Sequence, residues 1–259
     1  MGHRIYIIAG EASGDMHAAN LVAALKHHDP ALAIRGWGGD RMSAAGVEIV
    51  KHYRDLAFMG FTEVLKNIGT IMRNFRFCRQ DISAFNPDVL ILVDYPGFNL
   101  RMAKWAHQQG IKVFYYISPQ IWAWKQGRVH DIKKYVDRMF VVLPFEGDFY
   151  KKFGYEVSYN GHPLLDEMKK IQARDPSVFR EKHGLGQGPV IALLPGSRKQ
   201  EILTMLPLML SVVDAFKNYR FAVAAAPSQP DSLYRELCGN KEVAIVKGDT
   251  YGLLSVAEA

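Results

Sequence analysis

Asp88-Val89-Leu90-Ile91-Leu92-Val93-Asp94-Tyr95-Pro96-Gly97-Phe98-Asn99 is the stretch on which the reading of the chain turns. The apolar run between Pro87 and Pro96 is too short for a helix, and its branched side chains read as a strand buried on both faces, as in a parallel sheet. Such a strand delivers Asp94 at its carboxyl end. In open α/β sheets ligands bind beyond the strand carboxyl ends, so Asp94 is a candidate catalytic group. Taken alone it reads rather as an Asx-turn residue before Pro-Gly, and only the motifs around it shift the balance.

Working back towards the start, Arg4 to Ala9 reads as a strand, Gly10-Glu11-Ala12-Ser13-Gly14-Asp15 as a tight turn, and Met16 to His28 as a helix. Strand, glycine turn and helix together present backbone N–H groups and a positive dipole end to a polar or anionic ligand. The G-x-x-x-G spacing is neither the dinucleotide fingerprint nor a P-loop. Ser13 and Asp15 read either as ligand contacts or as caps of the helix. Glu11 gains little from capping and is the harder residue to explain structurally.

Composition bounds the rest. The chain has 259 residues, 49% of them hydrophobic, and a formal net charge of +6. That is enough for one large or two ordinary domains, with a bias towards anionic partners. Two cysteines, Cys78 and Cys238, make no disulfide framework, which points to reduced thiols and a cytoplasmic protein. No run approaches the roughly 18 apolar residues of a membrane span, and Ile5 to Ala9 is too short for a signal peptide.

Further along, Ala33 to Trp37 and Val47 to Val50 read as strands, and Thr62 to about Phe85 as a helix. Phe58, Met59 and Phe61 ahead of that helix, with Lys66, Arg73 and Arg76 on it, suit an anionic lipid surface. The alternative is an ordinary core-facing helix with a solvated basic face. A helix through Met102 to Gln109 and a strand Lys112 to Ile117 lead to Ser118-Pro119-Gln120-Ile121-Trp122-Ala123-Trp124. There Gln120 and the tryptophans read as the wall of a sugar or acyl pocket or as packing under a loop. A basic helix, the strand Arg138 to Leu143, a helix opened by Pro144-Phe145-Glu146 and a short strand to Tyr159 complete a doubly wound parallel sheet.

Residues 1–164 are thus expected as a Rossmann-like domain and 165–188 as a linker with short helices. Residues 189–259 are expected as part of a second such domain, with strands Pro189 to Leu194, Phe221 to Ala226 and Val243 to Val246. Its turn Pro195-Gly196-Ser197-Arg198 suits a phosphate. Three strands in about seventy residues fall short of the usual α/β domain, so the chain reads as a truncated form of a longer protein.

Taken in order, Gly10 to Asp15, Asp94 to Asn99, Ser118 to Trp124, Leu143-Pro144-Phe145-Glu146, Gly161-His162-Pro163-Leu164 and Leu194-Pro195-Gly196-Ser197-Arg198-Lys199-Gln200-Glu201-Ile202 resemble the lipid-A-disaccharide synthases. These are membrane-surface glycosyltransferases of Gram-negative lipid A assembly. The resemblance runs from Arg4 to the end, although family members continue into a glycine- and threonine-rich nucleotide loop. It implies a GT-B fold with two Rossmann-like doubly wound domains, acceptor mainly on the first and nucleotide sugar mainly on the second. It also implies inverting transfer from UDP-2,3-diacylglucosamine to 2,3-diacylglucosamine 1-phosphate, giving a β-1,6-linked disaccharide phosphate and UDP. The expected partners are these two substrates and the anionic surface of the inner membrane, with no nucleic acid, and a homodimer stays open. The expected location is peripheral on the cytoplasmic side.

Such transfer needs a base for the acceptor hydroxyl, worth about 10²–10⁴ in rate. Asp94 is the first choice. Glu11 and Asp15 are second choices, read rather as holding sugar hydroxyls or orienting the acceptor, and with them Ser13, Asn99, Gln120 and Trp122 are expected as substrate contacts. Arg198 is expected on the departing diphosphate, with Glu201 beside it, either as a further contact or as its ion-pair partner. The chain has no Asp-x-Asp, and neither a metal nor another cofactor is required. This chain by itself is expected to be inactive. The competing assignments are another GT-B-type UDP-sugar enzyme, such as a 2-epimerase or a lipid-linked N-acetylglucosaminyltransferase, and a non-catalytic fragment that binds acyl-sugars.

Overall fold

The computed structural model describes residues 3–56, 68–172 and 175–259. The chain divides into two compact units, one ending at Pro163 and the other running Leu164–Ala259.

In the first unit the parallel strands are β1 (Arg4–Ala9), β2 (Ala33–Gly38), β3 (Glu48–His52), β4 (Val89–Val93), β5 (Lys112–Tyr116), β6 (Arg138–Val141) and β7 (Ser158–Tyr159). Among the described residues they pair in the order β3-β2-β1-β4-β5-β6-β7. The order reverses at β1 and β4, which pair from Ile5 with Val89 to Ala9 with Val93. That reversal opens a crevice at the carboxyl ends of these two strands.

Alternation along the strands sorts their side chains between two cores. Tyr6, Ile8, Leu90 and Leu92 face one layer with Phe75, Phe98, Met102 and Ile132. Ile5, Ile7, Ile91 and Val93 face the other with Ala18, Val22 and Met42. The first layer is built from α3 (Ile68–Phe85), α4 (Pro96–Gln108) and α6 (Val129–Tyr135), and the second from α1 (Ala12–His28) and α2 (Asp40–Ala44). Burying each branched side chain of β4 contributes about 1.5–3 kcal/mol. That is why a strand with no polar face stays in the middle of the sheet.

Helix α3 is core-facing over the described residues. Phe75, Cys78 and Ile82 are buried at helical spacing, while Arg73, Arg76 and Phe77 are exposed. Phe58, Met59, Phe61 and Lys66 lie outside the described residues. Cys78 and Cys238 are both buried thiols, and burial pushes each one up from its ordinary pKa.

The second unit carries β8 (Val190–Leu193), β9 (Arg220–Ala225) and β10 (Val243–Lys247), paired in parallel as β10-β9-β8. Residues 165–188, expected as a linker, hold most of α8 (Leu164–Gln172) and all of α9 (Pro176–Lys182). Helix α9 and the residues after it pack into this unit's core. Phe179 and Leu185 are buried with Val246 and Leu253, and the Arg180 guanidinium donates to the carbonyls of Gly186, Gly188 and Val256. The helix expected from Gln200 to Lys217 is α10 (Lys199–Leu210), followed by a short 3-10 turn at Val213–Ala215. The remaining helices are α11 (Asp231–Cys238) and α12 (Thr250–Val256).

Candidate active site

Asp94 follows β4 directly, where the strand must turn sharply into α4. It makes that turn with consecutive positive φ angles, 44° at Asp94 and 49° at Tyr95. Asp tolerates this left-handed region better than most residues, whereas the bulky Tyr95 is strained in it. Two side chains hold the turn. Asn99, fully buried on the first turns of α4, donates its Nδ2 to the Asp94 carbonyl at 2.8 Å, and the Tyr115 hydroxyl donates to the same oxygen at 2.6 Å. Asn99 was expected on the substrate. Its amide instead fixes the backbone that presents Asp94, because it is sealed from the crevice and its Nδ2 also reaches the Val93 carbonyl at 3.2 Å.

The Asp94 carboxyl is held above its usual pKa range, first by desolvation and then by the negative charge of Glu11. Glu11 stands at the amino end of α1, immediately after β1, and its side chain makes no cap hydrogen bond there. The sheet reversal therefore brings together the two carboxylates expected as base and acceptor contact. Gly10 between β1 and Glu11 is required by close approach, since a Cβ there would lie 2.4 Å from the Tyr95 ring. Ser13 is exposed on the first turn of α1.

Asp15 departs from expectation. It is 2% exposed, and its carboxylate accepts the backbone N–H groups of Gly39 at 2.7 Å, Arg41 at 3.1 Å and Met42 at 3.1 Å. It caps the neighbouring helix α2 rather than its own, and with both oxygens so engaged it is a structural residue, not a substrate contact.

Beside Asp94 lies a cavity of about 300 Å³ whose lining includes Ile117, Ser118, Gln120, Trp124 and Arg128. This is at the lower end of the ~300–1,000 Å³ common for ligand sites. Gln120 is exposed and lines it. The tryptophans separate: Trp124 is 66% exposed and lines the cavity. Trp122, which had been expected on substrate, packs edge-on against Phe145 with ring centroids 4.8 Å apart. The two residues fall on opposite sides of α5 (Ile121–Trp124), so one cannot join the other at the cavity.

Glu146, at the start of α7 (Glu146–Lys151), had no assigned role. It is fully buried and accepts from Ser118 Oγ at 2.5 Å, Val142 N at 3.1 Å and Leu143 N at 2.8 Å. It thereby ties the loop after β5 to the end of β6, and Ile117 holds that loop at a φ of 65°, unusual for a β-branched residue. Glu146→Ala leaves three donors unpaired in the interior and is expected to destabilise the first unit by about 3–5 kcal/mol. Glu146→Gln is expected to cost less, because the Ser118 hydroxyl can turn and accept from the new amide. Urea titration of both variants checks the order.

In the second unit, Arg198 caps α10. Its guanidinium pairs with Glu201 at 3.0 Å, while Glu201 Oε2 accepts the N–H groups of Arg198 at 3.2 Å and Ser197 at 3.3 Å. These bonds hold the Glu201 carboxyl below its usual range, the Arg198 N–H foremost. Glu201 thus shapes the turn and pairs with Arg198, the second of the two roles expected for it. Both side chains are substantially exposed, and an exposed pair of this kind is weak enough to exchange partners.

A family model described as lipid-A-disaccharide synthetase matches residues 5–258. The chain belongs to this family. Among named members, the lipid-A-disaccharide synthase of Geobacter sulfurreducens is 42% identical over 264 residues, covering 99% of this chain and 68% of its own length. The lipid-A-disaccharide synthase 1 of Legionella pneumophila is also 42% identical, covering 98% of this chain and 68% of its own. Among solved structures, the UDP-GlcNAc 2-epimerase of Neisseria meningitidis bound to UDP-GlcNAc has a TM-score of 0.68 at 12% identity, covering 98% of this chain and 76% of its own. The calicheamicin glycosyltransferase CalG4 has a TM-score of 0.56 at 15% identity, covering 100% and 73%. At such identities these structures establish the fold alone, the GT-B type of α/β architecture. For this family the Asp94 crevice is the candidate active site.

Proposed function

We propose that the chain serves in lipid A disaccharide formation, as a glycosyltransferase that uses a UDP-sugar donor and a lipid acceptor. The donor is UDP-2,3-diacylglucosamine and the acceptor 2,3-diacylglucosamine 1-phosphate, and transfer inverts the anomeric carbon without a metal. The observation that carries this reading is the half-buried Asp94 carboxyl, presented on a strained turn at the sheet reversal and facing a cavity of about 300 Å³. Asp94 takes the proton from the acceptor hydroxyl as that oxygen attacks the anomeric carbon. Glu11 keeps the Asp94 carboxylate basic by its charge and orients sugar hydroxyls together with Ser13, while Gln120 contacts the acceptor from the cavity wall. Departure of UDP calls for positive charge, which Arg198 at the head of α10 supplies once it leaves Glu201.

The test is an organic-phase product assay on a protein that carries this sequence at the relatives' full length, with both acylated substrates and excess chelator. A disaccharide phosphate appearing with UDP is the expected result. Donor recovered unchanged or epimerised would sink the reading.

Acylated substrates reside in a bilayer, and among the described residues no helix is long and apolar enough to cross one. We therefore place the enzyme on the anionic inner-membrane surface through Phe58, Met59, Phe61 and Lys66 together with Arg73 and Arg76, the last two exposed on α3. Each basic residue near such a surface contributes about 1 kcal/mol. Arg73→Glu with Arg76→Glu is expected to weaken binding to vesicles containing anionic lipid by at least about 30-fold, measured by sedimentation. Binding that survives this double change and a Phe58→Ser, Phe61→Ser pair would place the contact elsewhere.

A further inference from the structure

Arg128 closes the 3-10 turn Gln126–Arg128 that runs into α6, and it lines the same cavity as Asp94. Several other arginines are paired: Arg35 with Asp81 and Glu48, Arg54 with Asp40, and Arg198 with Glu201. Arg128 differs from them. Among the described residues its guanidinium has neither an ion pair nor a hydrogen bond, and its contact is the ring of Trp124, with the guanidinium carbon 5.2 Å from the centroid. Lys125 Nζ lies 5.7 Å from the same ring, so two cations converge on one aromatic side chain at the mouth of the cavity. The Arg128 charge also reaches inward, since it acts on the Tyr115 hydroxyl that supports the Asp94 turn.

Arg128 is a half-buried residue that lines the cavity with no anion beside its guanidinium, so the negative charge of a ligand can complete it. The planar fork of Arg matches two oxygens of a phosphate, and stacking on Trp124 holds the fork in place before the ligand arrives. We propose that Arg128, steadied by Trp124, binds the phosphate of the acceptor sugar and makes a phosphorylated acceptor the preferred ligand of this cavity. The assignment rests on the reading of the Asp94 cavity as the acceptor site. It goes to the acceptor rather than the donor because the attacking hydroxyl must reach Asp94. In a cavity of about 300 Å³, the anion that meets Arg128 then belongs to the same headgroup.

Calorimetric titration tests this on the chain as it stands, using short-acyl 2,3-diacylglucosamine 1-phosphate and the same compound without its phosphate. The unsubstituted chain is expected to bind the phosphorylated compound about 10- to 100-fold more tightly. Arg128→Gln is expected to bind both compounds at the unphosphorylated affinity, and Arg128→Lys to fall between. Asp94→Asn is expected to keep the preference, since it leaves the anchor intact. Inorganic phosphate is expected to compete only at much higher concentration than the sugar phosphate. Three outcomes overturn the anchor while the acceptor cavity stands: equal binding of the two compounds by the unsubstituted chain, a preference that survives in Arg128→Gln, or inorganic phosphate binding as tightly as the sugar phosphate. If the unsubstituted chain binds neither compound, the acceptor reading fails and the anchor fails with it.

Discussion

In a protein that carries this sequence at the relatives' full length, Asp94→Asn is expected to lower the transfer rate by about 10²–10⁴, the usual worth of a positioned base. Asn is the informative replacement because it tolerates the left-handed backbone at this position, where Ala would add about 1–2 kcal/mol of strain and confuse folding with chemistry. The pH dependence follows from the raised Asp94 pKa, caused first by desolvation and then by Glu11. A base works ionised, so the acid limb of kcat/KM is expected above the ordinary carboxylate range. Glu11→Gln removes one of the two causes and should move that limb to lower pH. For stability the sign is opposite to that of a salt-bridged carboxylate. With the folded pKa above the unfolded one, the folded state binds the extra proton, so stability falls as pH rises from the unfolded value, near ~3.9, through the folded one. Asp94→Asn should therefore melt higher than the unsubstituted chain at pH 8, with the gap closing towards pH 4. An acid limb at the ordinary carboxylate position that ignores Glu11→Gln would remove Asp94 from the role of base.

Part of this site is legible in the sequence because it depends on local rules. The β4 run has no polar face, which marks it as a central strand, and the carboxylate after it is placed by strand direction alone. What is not legible is the strand order. Glu11 and Asp94 are 83 residues apart, and only the reversal between β1 and β4 makes them neighbours. Asp15 hides its role for the same reason, since its partners Gly39, Arg41 and Met42 lie on another connection of the sheet. Glu146 joins two loop ends whose proximity also comes from strand pairing. Other signals of the site are local in the sequence. Trp122 and Trp124 are two positions apart, so on a helical turn only one can face a cavity. Arg198 and Glu201 sit at i and i+3 at a helix start, the spacing of a reciprocal cap. The segment up to Gly188 looks polar because a single aromatic, Phe179, and one leucine, Leu185, carry its packing.

Asp15→Ala should be among the most destabilising single changes in the first unit, at about 3–5 kcal/mol. The carboxylate satisfies three backbone donors at once, and truncation leaves them facing a void with the start of α2 uncapped. Water cannot readily take over, because the site is tightly built around the acid. A Cβ on Gly39 would come 2.9 Å from Asp15 Oδ2 and 2.2 Å from the Tyr53 ring, and one on Gly38 would meet the Met42 sulfur at 2.3 Å. Asp15→Asn separates the structural role from a substrate role. Its carbonyl oxygen can serve Gly39 and Met42, which share Oδ1 in the acid, but its amide then points a donor at the Arg41 N–H, a conflict worth about 1–3 kcal/mol. A cap predicts a lower midpoint in urea for Asn and a still lower one for Ala, with the acceptor affinity of the folded protein little changed. A substrate contact predicts the reverse, stability kept and acceptor binding lost. The 2% exposure of Asp15 places it with the first pattern, because a ligand would have to displace the amino end of α2 to reach the carboxylate.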